Sequence, residues 1–285
     1  MRYTIEYHSH NIYQHPVKEA VFEFRVLPCN DETQAVTDYS LTNSINEPVF
    51  SFKNLFGFEV NRIRTVAGFR EFTFRLKAVV QKTESELLPP SVLTPEEEQT
   101  LLTAPAFYID YHLYLLHSHY TTLAPENRKH ILPYDPSQPV SIYLQSLNGY
   151  VHSVLKYQKD ITDVKTTADE ALTIQSGVCQ DFVHLFIAIA RYNRIPARYV
   201  SGYLNQGKNF IGAALMHAWV EAFIPGVGWK GFDPTNNLLV DTNYIKVSHG
   251  TDYADCSPIK GVLKTKGDNT TSYQVKVSSQ QQQQQ

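Results

Sequence analysis

The sequence predicts an α+β protein in which an antiparallel β-sandwich precedes a unit of helices and an antiparallel sheet. Apolar residues alternate with polar ones through the first eighty residues, recur at helical spacing later, and then form three more short strands. With 285 residues, the chain is long enough for two units with separate cores. We expect a β-rich domain at 1–90, a second domain of helices and sheet at 91–279 and a disordered glutamine tail at 280–285.

The strands of the first domain are predicted from period-two patterns. In VFEFRVLP, Phe22 and Phe24 alternate with Glu23 and Arg25, and the stretch REFTFRLKAVV repeats the pattern. Turn signals such as FKNLFGF separate further short runs. Half-buried strands of this kind favour a β-sandwich.

Capping signals place two helix starts. After the polar, proline-containing linker KTESELLPPSVL, Thr94 is a predicted N-cap, with Pro95 in the first turn and Glu97 completing a capping box. Thr167 and Glu170 form a second box ahead of Gly177. These signals support a boundary near residue 90.

Two further helices differ in their predicted burial. The stretch VSIYLQSLNGYVHSVLKYQ repeats apolar residues every three or four positions, which is typical of an amphipathic helix packed on one side. The helix beginning at Cys179 is apolar on all sides, so we expect it to be buried, and to end near Asn193 ahead of Pro196.

Three strands follow this helix: ARYVSGYL, HAWVEAFI and WKGFDPT. The turn PGVG joins the last two, so they form a hairpin. A turn centred on Pro225 would put His217 directly opposite Asp233, on one face of the sheet. A bulge would change this register.

Composition excludes several classes of function. The formal charge is −3 and basic residues are not clustered, which argues against a nucleic-acid partner. The N-terminal residues do not resemble a signal peptide and no run of 18 apolar residues occurs, so we expect a soluble cytoplasmic protein with no membrane partner. Three widely spaced cysteines, Cys29, Cys179 and Cys256, favour free thiols.

Cys179 is the candidate nucleophile. A thiol in the first turn of a buried helix feels the positive end of the helix dipole, which favours the nucleophilic thiolate. His217 on a neighbouring strand is placed to hold the proton, and Asp233 to orient the ring and stabilise its charge. The sequence therefore predicts a Cys179–His217–Asp233 catalytic triad.

Non-catalytic interpretations compete with this one. A single cysteine at a helix start is more often a small core residue, and a single histidine on a strand is more often a structural one. An inactive scaffold with this fold is one alternative function. An interaction module in the β-domain is another. Rapid alkylation of Cys179 would argue against the inactive scaffold. Binding of a protein partner that survives loss of Cys179 would support the interaction module.

The motifs GVCQDFVHLFIAIARYNRIPARYVSGYL, HAWVEAFIPGVGWKGFDPTN and HGTDYADCSPIKG resemble the bacterial transglutaminase-like family, whose preceding domain the β-rich region also resembles. The resemblance implies a papain-like catalytic fold with Cys179 as nucleophile, His217 as base and Asp233 as its support. It leaves the reaction open among proteases, amidases, deamidases, crosslinkers and inactive members. We expect hydrolysis of peptide or protein amides, with a protein-crosslinking transglutaminase as the alternative.

The rest of the site is predicted in part. The backbone N–H of Cys179 is one expected oxyanion donor, and the second is unassigned because Thr173 occupies the position of the papain-like glutamine. Trp219 and Gln175 are the candidate substrate-binding residues, and Asp181 is expected to cap the helix or to bind the HGTDYAD loop. The histidines of YHLYLLHSHY have no carboxylate or thiolate side chains at the spacing of metal ligands, so we expect neither a bound metal nor a cofactor. The oligomeric state stays open.

Overall fold

A computed structural model describes residues 1–84, 86–205 and 215–280, apart from the side chain of Gln280. In this part of the chain, strands from both ends enclose a mixed helical and sheet region. The strands are β1 (Arg2–Val17), β2 (Glu19–Phe24), β3 (Gln34–Asn43), β4 (Phe50–Lys53), β5 (Glu59–Thr65), β6 (Phe69–Lys82), β7 (Lys156–Tyr157), β8 (Ser176–Gly177), β9 (Ala197–Leu204), β10 (His217–Ile224), β11 (Gly228–Asp233), β12 (Leu238–Leu239), β13 (Tyr244–Gly250), β14 (Ile259–Lys264) and β15 (Asn269–Gln280).

The helices all lie between the sixth strand and the last two. They are α1 (Pro95–Thr103), α2 (Pro105–Leu115), α3 (Val140–Val154), α4 (Ala168–Ile174), α5 (Cys179–Tyr192) and α6 (Tyr253–Cys256), with short 3-10 turns at His119–Thr121 and Pro125–His130. Both predicted capping boxes are present, at the starts of α1 and α4.

The predicted β-sandwich is confirmed as two four-stranded antiparallel sheets, ordered β15-β1-β6-β3 and β14-β2-β5-β4. The alternating phenylalanines of β2 and β6 point into one core, where Phe22 stacks on Phe72 at 4.3 Å and Phe24 on Phe74 at 3.8 Å between ring centroids. Burial of large aromatic side chains on the inner faces holds the two sheets together.

The two C-terminal strands belong to this sandwich. β15 pairs along β1 from Arg2↔Gln280 to Tyr13↔Asn269, and β14 pairs with β2. The sequence-based division had placed this stretch in the second domain and Gln280 in the tail. Strand pairing between the two ends of a chain leaves no local signal, which is why the boundary near residue 90 does not separate the sheets. Residues 281–285 lie outside the described part.

The second sheet carries the strands predicted after the buried helix. Its five strands have the order β12-β11-β10-β9-β13, and α5 packs on one face of it. Buried residues extend along α5 from Gln180 to Arg191, and Asn193 caps its C-terminal end, as the composition predicted. This layered arrangement of helices on an antiparallel sheet confirms the α+β class.

The β10–β11 hairpin differs from the predicted register. Val220 pairs with Phe232 and Ile224 with Gly228, so the hairpin is centred on Gly226 instead of Pro225. Gly226 and Gly228 have φ values of 75° and 98°, which permit this turn because glycine lacks a Cβ atom. His217 and Asp233 are therefore diagonal neighbours instead of directly opposite, but the even offset leaves both on one face.

The sandwich and the second sheet share a core. Tyr203 is fully buried, and its hydroxyl donates to the carbonyl of Val26 at 2.6 Å. Ile245 and Val247 on β13 pack into the same cluster of sandwich residues. The sheet that holds the candidate histidine and aspartate is thus fixed against the sandwich.

Candidate active site

Cys179 is the first residue of α5, and the segment before it is held from two sides. The Ser176–Gly177 strand pairs in parallel with Lys156–Tyr157. The Asp181 carboxylate, one turn into the helix, accepts hydrogen bonds from the backbone N–H of Val178 at 2.7 Å and from the Thr162 hydroxyl at 2.8 Å. Asp181 therefore caps the helix, which is the first of its two predicted roles.

Gly177 is required by this cap. A Cβ atom at Gly177 would lie 2.4 Å from Oδ2 of Asp181, so only glycine lets the carboxylate reach back over the segment. Burial raises the pKa of Asp181 to about 6, although its hydrogen bonds from Val178 and Thr162 oppose the shift. The geometry at the helix start thus depends on a small residue and a buried carboxyl group.

His217 and Asp233 form a fully buried pair. Nε2 of His217 lies 2.8 Å from Oδ2 of Asp233, and both side chains are 0% exposed. The other ring nitrogen, Nδ1, is buried and has no conventional hydrogen-bond partner among the described residues. The Cys179 thiol is close enough to this ring to affect its protonation. The structure therefore brings the three predicted catalytic residues together.

Asp233 is held by donors in addition to the histidine. Its Oδ1 accepts the backbone N–H groups of Thr235 at 3.0 Å and Asn236 at 3.2 Å. Its Oδ2 also accepts the Asn236 side-chain amide and the Tyr244 hydroxyl, each at 2.8 Å. A carboxylate with this many donors is fixed in orientation and stays ionised despite its burial.

The electrostatics of the pair favour a charged histidine. Burial alone would lower the pKa of His217, but the charge of Asp233, its hydrogen bond and the adjacent Cys179 outweigh burial and raise that pKa. Burial would raise the pKa of Asp233, but the charge of His217 and the hydrogen bonds of His217, Asn236 and Tyr244 lower it. The arrangement can therefore hold an imidazolium beside the thiol.

Four tyrosines from different parts of the fold lie within electrostatic reach of the thiol. Burial, followed by the charge of Cys179, raises the pKa of Tyr157, Tyr199 and Tyr273. The same two causes raise the pKa of Tyr253, although a hydrogen bond with Ser257 opposes them. Tyr273 lies on β15, so the sandwich contributes to the surroundings of the nucleophile. Sequence reasoning had not singled out these positions, because their motifs carry no catalytic pattern.

The two predicted substrate-binding residues occupy other surroundings. Trp219 is 1% exposed and packs edge-on against Tyr244 at 5.4 Å between ring centroids, in a small cluster with Val200 and Leu204. Gln175 is exposed at the end of α4, in the left-handed conformation with φ 56°. Trp219 thus supports the tyrosine that binds Asp233, and a substrate role for either residue stays a prediction.

A cavity of about 870 Å³ lies between the sandwich and the sheet. Trp219 and Tyr244 line it on the sheet side, while Cys179 does not. Glu221 lines this cavity, and its carboxylate accepts hydrogen bonds from Nε of Arg198 and Nζ of Lys246, each at 2.7 Å. The single carboxylate offsets one of the two positive charges, so the three groups together carry a formal charge of +1.

The described residues contain neither a metal-binding cluster nor a membrane-spanning helix. Across residues 1–84, 86–205 and 215–280, no group of three or more His, Cys, Asp and Glu side chains is arranged to hold a metal ion. Among the helices of those same ranges, none has both the length and the apolar character needed to span a bilayer. The three cysteines are free thiols, with Cys256 buried and Cys29 and Cys179 partly exposed.

Two family models match separate ranges of the chain. The core model of the transglutaminase-like superfamily matches residues 136–234, a range that includes all three triad positions. The model of the bacterial transglutaminase-like N-terminal region matches residues 3–81. The first of these ranges ends directly after Asp233.

Individual relatives agree with these matches. An uncharacterised protein of Mycobacterium tuberculosis is 39% identical over 144 residues, which are 47% of this chain and 46% of the relative, so the match spans less than half of its length. A protein-glutamine gamma-glutamyltransferase of Pseudomonas aeruginosa is 30% identical over 107 residues, 35% of this chain and 16% of that protein.

A solved structure shares the whole fold. The crystal structure of a protein from Cytophaga hutchinsonii, described as a proposed cysteine protease, superposes with a TM-score of 0.79 at 23% identity. The superposition covers 100% of this chain and 92% of the other. The likeness therefore extends to the sandwich with its C-terminal strands as well as to the second sheet.

Proposed function

Because the chain carries the core of the transglutaminase-like superfamily behind the bacterial transglutaminase-like N-terminal region, we propose that it is a thiol-dependent enzyme that cleaves peptide or protein amides through an acyl-enzyme on Cys179. One observation carries the proposal. The buried Asp233 carboxylate raises the pKa of the His217 imidazole, and this imidazole lies beside a partly exposed thiol at a helix start.

The proposed reaction begins with the thiolate of Cys179. Its sulfur attacks the amide carbonyl carbon, and the carbonyl electron pair moves to oxygen to form a tetrahedral intermediate. When the carbonyl re-forms, the C–N bond breaks and the imidazolium of His217 gives its proton to the departing amine. The product is a thioester on Cys179 and a neutral His217.

Water then completes the proposed cycle. Neutral His217 removes a proton from a water molecule as its oxygen adds to the thioester carbonyl, and collapse of this second intermediate expels the thiolate. The carboxylic acid leaves and the thiolate–imidazolium pair is restored. Asp233 keeps the ring oriented through its 2.8 Å hydrogen bond and stabilises its positive charge, without transferring a proton itself.

A protein-crosslinking transglutaminase is the second candidate, and the partial similarity to the Pseudomonas glutamyltransferase favours keeping it. It would share the thioester and use a lysine amine in place of water. An amine acceptor requires an apolar channel that binds its stem and excludes water. The sequence carries no recognised signal for such a channel, so we favour hydrolysis.

Intact-mass analysis after incubation with a mixed peptide library tests the proposal. We expect a transient acyl adduct and hydrolysed peptides with the wild type, neither with Cys179→Ala, and both with the matched control Cys29→Ala. Adducts that persist in Cys179→Ala would place the chemistry elsewhere. A wild type with no adduct, no turnover and no unusually reactive cysteine would favour the inactive scaffold instead.

The acyl acceptor is identified by adding cadaverine to any substrate found. We expect the hydrolysed product to persist and little amide to form at millimolar amine. Amide as the main product would show that the enzyme is an acyltransferase. Binding of a protein partner that is unchanged in Cys179→Ala and lost when the sandwich surface is altered would support the interaction-module alternative.

A further inference from the structure

We propose that the cavity between the sandwich and the sheet binds a small organic anion, whose carboxylate or phosphate group pairs with the buried ammonium group of Lys82 and whose apolar body packs on the aromatic walls of the cavity. Cys179 does not line this cavity. The site is therefore separate from the proposed acyl-enzyme chemistry, and its test requires no enzymatic activity.

The cavity has the size and the walls of a small-molecule site. Its volume of about 870 Å³ lies within the range of about 300–1,000 Å³ that is usual for such sites. Phe56 and Phe58 line it from the β4–β5 loop of the sandwich, and Trp219, Trp229 and Tyr244 line it from the sheet. Aromatic side chains on two sides of a cavity favour a ligand with a flat, apolar body.

Three charged side chains in the cavity lining carry an excess of positive charge. Nζ of Lys246 lies 2.8 Å from Oε1 and 2.7 Å from Oε2 of Glu221, and Nε of Arg198 lies 2.7 Å from the same Oε2. One carboxylate thus offsets only one of the two cations. The side chains of Arg198, Lys246 and Glu221 are only 13%, 9% and 16% exposed, so water and salt screen the remaining charge weakly.

Lys82 adds a second positive charge without a negative partner. The residue lines the cavity and is 7% exposed. Its ammonium group donates only to uncharged acceptors of the described residues, the Thr33 hydroxyl at 3.3 Å and the Gln34 side-chain carbonyl at 3.5 Å. Burial lowers the pKa of Lys82, and the charge of Asp31 opposes that shift only in part. Burial of an ammonium group without a carboxylate partner is unfavourable, and an anionic ligand would supply that partner.

The other charged residues of the lining are more accessible to water. They are Asp31, Glu32, Glu59, Glu86 and Asp241 and, of opposite sign, Lys53 and Lys230, each exposed or half-buried. Asp31 already accepts the backbone N–H groups of Thr33 at 2.7 Å and Gln34 at 3.0 Å, and Asp241 accepts that of Asn243 at 2.8 Å. Because exposed charges are screened more than buried ones, the buried cations determine where an anionic group binds.

Binding is measured by tryptophan fluorescence, because both tryptophans of the chain, Trp219 and Trp229, line the cavity. The full chain is titrated, in a buffer without phosphate, with benzoate, phenyl phosphate and uncharged benzyl alcohol, and calorimetry repeats each titration. We expect at least one of the two anions to bind about tenfold or more tightly than benzyl alcohol. The tighter anion identifies the preferred group as carboxylate or phosphate.

Lys82→Met removes the ammonium group and retains most of the side-chain volume. We expect this variant to bind the anion about 10–100-fold more weakly and to melt, without ligand, at the wild-type temperature or higher. Lys77→Met is the matched control, because Lys77 lies on the same strand but is exposed and outside the cavity lining, and it should bind the anion as the wild type does. If Lys82→Met does not fold, Lys82→Gln provides the same comparison.

Several results would overturn the proposal. Benzyl alcohol that binds as tightly as both anions would show an apolar pocket without an anion site. Anion binding that is unchanged in the Lys82 variants, or weakened equally in Lys77→Met, would place the anion elsewhere. The absence of binding of either anion at tens of millimolar would also exclude the site. A wild type that binds the anion but has no reactive cysteine would contradict the proposed function alone.

Discussion

At the scale of single residues, the candidate site depends on the three predicted residues and equally on the donors that hold the Asp233 carboxylate in place. Sequence reasoning selected Cys179, His217 and Asp233 from a helix start, a strand and a hairpin. It missed Tyr244, whose hydroxyl donates to Asp233 at 2.8 Å from a strand beyond β9. A contact made across a sheet depends on strand order, which no short motif reveals.

The three thiols should differ in reactivity. Burial raises the pKa of Cys29 and of Cys256 to about 12, and neither has a histidine–aspartate pair beside it. We expect iodoacetamide to label Cys179 at least about tenfold faster than the other two near neutral pH. Peptide mapping after timed labelling of the native protein measures the rates, and equal rates would remove Cys179 as nucleophile.

Asp233→Asn should change the pH dependence of the site. In the wild type, the Asp233 charge outweighs burial and keeps His217 protonated to higher pH. Without that charge, burial lowers the pKa of His217, so the imidazolium is lost at a lower pH as pH rises. We expect turnover to fall by about tenfold or more and the alkaline limb of its profile to move to lower pH. An unchanged profile would require another third member.

Tyr244→Phe removes one donor to Asp233, and Tyr203→Phe is a control that removes a buried hydrogen bond away from the triad. Each variant should lose about 1 kcal/mol of stability. Only Tyr244→Phe should shift the pH profile of activity, because only it weakens the hold on the carboxylate. Thermal melts and pH–rate profiles of both variants test this, and identical profiles would limit Tyr244 to a structural role.

At the scale of elements, short sequence patterns predict the helix starts and the strands that local interactions determine. The alternating strands follow from spacing, the two capping boxes from residue type and spacing, and the burial of α5 from its composition. The hairpin register does not follow from spacing, because two glycines with positive φ centre the turn one residue later than the spacing suggested. The β7–β8 pair was also missed, since two-residue strands are too short for a periodic signal.

Gly177→Ala should loosen the start of α5. The added Cβ would overlap the Asp181 carboxylate, so the cap on the Val178 N–H would be displaced. We expect a loss of about 1–3 kcal/mol of stability and slower alkylation of Cys179. Gly68→Ala is the control, since its new Cβ would meet only a carbonyl oxygen at 3.8 Å. Denaturant melts and labelling rates that match between the two variants would contradict this account.

At the scale of the whole molecule, β14 and β15 complete a sandwich with β1–β6, and this sandwich shares a core with the sheet that holds His217 and Asp233. β15 extends along most of β1, and Tyr203 anchors the sheet to the sandwich core. The sequence predicts a sandwich but assigns its last strands to the other domain. Pairing over more than 250 residues is set by tertiary packing, which leaves no local pattern in the sequence. The sandwich therefore cannot be treated as an N-terminal module alone.

Removal of β14 and β15 should unfold more than the sandwich. A chain ending at Pro258 would leave β1 and β2 without one neighbour each and would expose the core that also contains Ile245 and Val247. We expect aggregation or a strongly lowered melting temperature, together with loss of Cys179 reactivity. A chain ending at Gln280 retains both strands and serves as the control. Normal melting of the shorter chain would show that the sandwich is complete without them.

The pairing of β15 with β1 also sets an order of events during synthesis on the ribosome. Nascent domains usually fold as soon as they emerge, the N-terminal one first. Here β6 ends at Lys82 and β14 begins at Ile259, so at ordinary elongation rates the early strands wait roughly 10–35 s for their partners. Throughout that interval the edges of β1 and β2 are open to neighbouring chains. Because β14 and β15 close the fold, we expect reactivity at Cys179 to be acquired only after both strands have been translated.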